Sequence, residues 1–131
     1  NNFLFLYTFC KKCCILKFRR CKKMYLFKGN HDVMDYSEYD GRIVMIDFYK
    51  IVNILDKKCM FSHYPHYSGK FDKRERFVKE IRELDKLFKK EKCYVHYHGH
   101  IHTQKITFPN INISIDNLQD FGPVKFEDIS K

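Results

Sequence analysis

Three times along this chain a short run of apolar and aromatic residues stops at a polar cluster that carries histidine. Met24–Phe27 leads through Lys28 into Gly29-Asn30-His31-Asp32, Cys59–Ser62 leads into His63-Tyr64-Pro65, and Cys93–Tyr97 leads into His98-Gly99-His100-Ile101-His102. Short apolar runs bounded by glycine, proline and polar residues read as buried strands running into loops. Side chains at the ends of neighbouring strands converge, and in sheet-based folds sites gather at such ends. The fold expected is one whose sheet carries all three clusters to a single place.

The segments between them fill in a mixed α/β (α+β) pattern. Ile43–Phe48 and Lys50–Leu55 are strand-like, with Asp56-Lys57-Lys58 as a hairpin turn. Phe71–Lys92 is the clearest helix, since Phe77, Val78, Ile81, Leu84, Leu87 and Phe88 recur at three- and four-residue spacing. Ser68 and Asp72 are its candidate caps. Lys105–Phe108 and Ile111–Ile115 read as two further strands across Pro109-Asn110, and Leu4–Lys23 as a helix with a basic wet side, although its residues also suit a strand.

The chain has 131 residues, enough for one domain. The apolar run Phe3–Cys10 ends at Lys11-Lys12, far short of the roughly 20 apolar residues of a membrane span. With no signal-peptide pattern either, an intracellular, cytoplasmic setting is expected. Four of the six cysteines, Cys10, Cys13, Cys14 and Cys21, crowd the first segment. They lack the second C-x2-C pair of a zinc ribbon and read as reduced thiols. The net charge of +9 comes mostly from scattered lysines. It reads as compositional bias that would still favour an anionic substrate.

The chemistry on offer in the three clusters is metal chemistry. Neutral imidazole suits Zn, Mn, Fe, Co or Ni, and an amide oxygen such as that of Asn30 suits a harder ion. His100 and His102 are one residue apart, so in an extended loop both face the same side. His66 and His96 lie outside any ligand constellation and read as ordinary structural histidines.

GNHD, then a histidine at a strand end in SHYP, then HGHxH, in that order, resembles the last three blocks of the calcineurin-like metallophosphoesterase superfamily. The small bacterial and phage-type members are the nearest match. The closing NISIDN-x5-PVKFEDI stretch is similar to the tail of that subgroup. The resemblance covers residues 24–131, leaving 1–23 as a divergent basic, cysteine-rich segment of one partial domain. It implies a β-sandwich flanked by helices, with two divalent metal ions at the strand ends, their identity open among Mn, Fe, Zn and Ni. Asn30, His63 and His100 match the ligands of one ion, and His102 matches a ligand of the other. His31 matches the histidine that stabilises the transition state or protonates the leaving oxygen, and Asp32 the carboxylate that orients it. A hydroxide held by the ions would attack phosphorus in line.

The match breaks in one respect. The family's two earlier blocks, D-x-H and G-D-x-x-D, supply the aspartates and a histidine of the metal site. Here no Asp or Glu precedes Asp32 and no His precedes His31. Carboxylate charge normally offsets the repulsion of two nearby cations. Either the blocks lie upstream of Asn1 or they have been lost. A strand–helix–strand unit takes roughly 30 residues. Residues 1–28 are therefore expected to supply one helix and one strand, which favours the blocks lying at or before Asn1.

The function expected from the resemblance is metal-dependent hydrolysis of phosphate mono- or diesters, with nucleotides or nucleic acid among the candidate substrates. A catalytically inactive remnant that binds a metal or a partner is the alternative. A basic nucleic-acid-binding module is a minor one, resting on the interleaved Lys, Arg and aromatics of Tyr7–Phe27.

Overall fold

The computed structural model describes residues 3–7, 23–29, 43–67 and 76–114. They form seven strands and one helix in a mixed α+β arrangement. Strands β1 (Phe3–Tyr7), β2 (Lys23–Phe27) and β3 (Ile43–Ile46) make a parallel sheet in the order β1-β2-β3. The second sheet, in the order β4-β5-β6-β7, holds β4 (Tyr49–Ile54), β5 (Lys57–Ser62), β6 (Val95–His98) and β7 (Asn110–Asn112). In it β4 and β5 form an antiparallel hairpin, while β5, β6 and β7 run parallel. The helix α1 (Val78–Lys90) connects β5 to β6.

The period-two alternation of β5 and β6 sorts their side chains between two cores. Cys59, Phe61, Val95 and Tyr97 face Phe27 of the first sheet, with Tyr25, Ile46, Val52 and Ile111 packed around them. Phe61 stacks on Phe27 at 6.3 Å and on Tyr97 at 5.2 Å between ring centroids. Met60 points the other way, into a core with Tyr64, Ile81 and Leu84, closed by Phe77, Leu87 and Phe88. The second sheet thus lies between the first sheet and α1. Each fully buried Ile or Leu of that helix contributes on the order of 2 kcal/mol. Because β6 is packed on both faces, its polar members His96 and His98 are also fully buried.

Several sequence expectations need correction. Phe3–Tyr7 is a strand paired with β2 in register from Phe3↔Lys23 to Tyr7↔Phe27, not the start of a helix. Residues 1–28 therefore contain two parallel strands where one was expected, and the helix expected between them lies outside the described residues. The hairpin turn is Leu55-Asp56, one residue earlier than Asp56-Lys57-Lys58, because Ile54 pairs with Lys57. Both turn residues have positive φ, 51° and 62°, the signature of the two-residue turn that matches strand twist. Lys105–Phe108 forms no strand, and the expected strand Ile111–Ile115 is the shorter β7. The helix starts at Val78 with Phe77 as an N-cap that makes no side-chain bond. The candidate caps Ser68 and Asp72, the four clustered N-terminal cysteines and most of the closing stretch lie outside the described residues. Among the described residues, no helix is long and apolar enough to cross a membrane.

Candidate functional site

Three loops meet at one end of the two sheets. Gly29 follows β2, His63 follows β5, and Gly99-His100 follows β6. A Cβ on Gly29 would stand 2.7 Å from His63 Cε1 and 2.8 Å from each ring nitrogen. Only the missing side chain lets the backbone after β2 come this close to the imidazole. On the other side, the Gly99 amide donates to the His63 carbonyl at 3.0 Å. The His63 and His100 rings lie 5.2 Å apart in an edge arrangement. Tyr64 and Phe77 flank His100 at 4.8 Å and 5.1 Å.

The loop after β6 is bent sharply at both of its histidines. His100 has φ 69° and sits in the middle of a γ-turn closed by the Ile101 amide on the Gly99 carbonyl at 2.8 Å. His102 has φ 53°. Positive φ at a non-glycine residue costs on the order of 1 kcal/mol and gathers at functional sites. The strain is held by Asn112 at the end of β7. Its amide donates to the carbonyls of His102 at 2.6 Å and Gln104 at 3.2 Å. Its Oδ1 accepts from the Ser114 amide and hydroxyl.

Behind this surface, on the α1 side of the sheet, lies a buried polar chain. His66 Nδ1 is 2.7 Å from His96 Nδ1, and His96 Nε2 is 2.6 Å from Ser62 Oγ. Ser62 Oγ in turn donates to the Tyr64 carbonyl at 2.5 Å. Phe88 of α1 stacks on His66 at 4.0 Å. Asn110 closes the arrangement, donating to the His66 carbonyl at 2.8 Å and accepting from its amide at 3.3 Å.

Burial governs the protonation of these imidazoles. It pushes His66 down to about 4, against the opposing pull of Asp85. His96 is held well below its ordinary value by burial and then by the neighbouring His98 and His66. Burial likewise brings His98 down to about 4, partly opposed by its bond to the Gly99 carbonyl. That bond, 2.9 Å from Nδ1, fixes the proton of His98 on Nδ1. Its Nε2 is then a buried lone pair with no hydrogen-bond partner among the described residues.

Of the residues singled out from sequence, His63 and His100 are brought together, and His102 lies exposed two residues further along the same loop. Asn30, His31 and Asp32 fall outside the described residues. Among the described residues no group of three or more His, Cys, Asp or Glu side chains is arranged to hold a metal ion. The donors that do converge are the imidazoles of His63 and His100, two side chains of a type that divalent transition ions accept as ligands. Ser62 and His98 belong to the strand-end clusters read from sequence, but neither was given a role there. The available signal was the alternation His96-Tyr97-His98, which puts both histidines on one face of a strand.

No protein-family model and no curated protein matches this chain. Among solved structures it is similar to the crystal structure of the protein of unknown function AQ665 from Aquifex aeolicus. The two share 25% identity over 98% of this chain and 74% of that one, with a TM-score of 0.72.

Proposed function

We propose that this chain carries a phosphoesterase-type metal site of the calcineurin-like kind, on a metallophosphoesterase-type sandwich. The observation that supports the reading is the meeting of Gly29, His63 and His100 at the ends of three different strands. The three sequence blocks are separated by dozens of residues, and residues from each lie within van der Waals or ring contact of one another. His63 and His100 would hold the ion, with Asn30 and His102 completing the set in line with the resemblance. A bound divalent ion would supply positive charge to phosphoryl oxygens and lower the pKa of water. His31, oriented by Asp32, would give a proton to the leaving oxygen.

One observation favours a second reading, a catalytically inactive relative that holds a single ion or a partner. β1 lies beside β2 as the preceding parallel strand. In the family pattern the loop after that strand carries G-D-x-x-D. Here the residues following Tyr7 are Thr8, Phe9 and Cys10, and none is a carboxylate.

Manganese loading separates the two. The purified chain is equilibrated with Mn²⁺, its metal content counted, and bis-p-nitrophenyl phosphate and p-nitrophenyl phosphate offered as substrates. Turnover abolished by EDTA and by His100→Ala supports the enzyme. One ion bound without turnover supports the inactive relative. No manganese bound at all refutes the metal site.

A further inference from the structure

We infer that Ser62 and His96 are positioning residues, the middle links of a one-way hydrogen-bond chain that sets the course of the loop bearing His63. The role of His63 itself rests on the reading above; the chain does not.

The direction of the chain follows from counting protons. The Tyr64 carbonyl can only accept, so the single hydroxyl proton of Ser62 goes there. Ser62 Oγ must then accept from His96, which places the His96 proton on Nε2. Burial keeps His96 neutral, so its Nδ1 is a lone pair and must accept from His66 Nδ1–H. The sequence of donors is therefore His66, His96, Ser62, ending on the Tyr64 carbonyl. No link can be reversed without setting two protons or two lone pairs against each other.

Each link grips the segment from Ser62 to His66. Ser62 holds the carbonyl of Tyr64 and so folds the chain back over His63. His66 is held by its ring to His96 of β6 and by its backbone to Asn110 of β7. Between these anchors the His63 carbonyl receives the Gly99 amide. The anchors thus fix one residue on each side of the His63-Tyr64-Pro65 arc, and the His63–Gly99 bond reports whether the arc is in place. A chain of this kind in a buried setting is costly to leave half-satisfied.

The test reads three things on the same protein. In the unaltered chain, nitrogen NMR of the histidine rings should find the proton on Nδ1 of His66 and on Nε2 of His96. The opposite tautomer at His96 overturns the inference without any variant being made. In Ser62→Ala, hydrogen exchange at the Gly99 amide should rise roughly tenfold or more while the β4–β5 hairpin amides keep their rates, and Ser62→Thr should restore Gly99. An unchanged Gly99, or a rise shared by every amide, overturns it. If the unaltered chain binds Mn²⁺, Ser62→Ala should weaken that binding by about 10–100-fold, and unchanged affinity overturns the inference. If the unaltered chain takes up no Mn²⁺, the metal reading fails, and the exchange and tautomer results still decide this one.

Discussion

Gly29 and His63 touch so closely that no other residue type fits between them: a Cβ at position 29 would come within 2.7–2.8 Å of Cε1 and both nitrogens of the imidazole. Gly29→Ala must therefore displace either the loop after β2 or the His63 ring. Such forced shifts cost about 1–3 kcal/mol. Manganese affinity should fall together with the melting temperature. A Gly29→Ala protein with unaltered metal binding would show that His63 is not where the ion sits.

His100 should trade stability against function. With φ 69° it occupies a conformation that favours glycine. His100→Gly is expected to relieve on the order of 1 kcal/mol of strain and to raise or hold the melting temperature. The same change should abolish metal-dependent hydrolysis. A variant that loses stability and keeps turnover would contradict both halves.

The metal-free protein should lose stability in mild acid. His66 and His96 are held below the ordinary histidine value, so between that value and the folded one the unfolded chain binds more protons than the folded chain. Stability is then full above about pH 6.5 and declines as the pH falls toward about 4. The His66 share is on the order of 3 kcal/mol. Thermal melts from pH 8 down to pH 4 check this, and a flat profile across pH 6.5 to 4.5 would mean that these rings are charged in the fold.

The Leu55-Asp56 turn offers a gain in stability. Both residues hold positive φ, and Leu55 is 71% exposed, so little packing opposes a change. Leu55→Asn with Asp56→Gly matches the residues this turn prefers. It should add about 1 kcal/mol and raise the melting temperature by about 4 °C. A lower melting temperature would show that Leu55 makes contacts its exposure does not suggest.

The site was legible where chemistry and strand pattern coincided. His63, Gly99 and His100 were read as strand-end residues, and the structure brings their loops together. The face-sharing of His96 and His98 was implicit in strand alternation, but that both would be fully buried depends on α1 covering that face. That cover is a tertiary fact. The N-terminal strand was misread because Phe3–Tyr7 is followed by a long mixed basic stretch whose apolar spacing also fits a helix. Parallel pairing, not local propensity, decides it. The hairpin turn was missed by one residue because Leu55 is not a residue that ordinarily advertises positive φ. Lys105–Phe108 has strand-like composition, yet the tether of Asn112 to His102 and Gln104 commits the preceding loop to bends.

The parallel arrangement of β5, β6 and β7 also bears on the order in which the molecule can be built. The β4–β5 hairpin closes through a two-residue turn, a contact between near neighbours in sequence. Every pairing that brings His63 to His100, by contrast, waits for the excursion through α1 to return. Contacts across long sequence separations form late, because loop-closure entropy must be overcome first. The strand ends that carry the histidines are thus the last part of the second sheet to be assembled, and a ligand that bridges them would act as the final fastening of the fold.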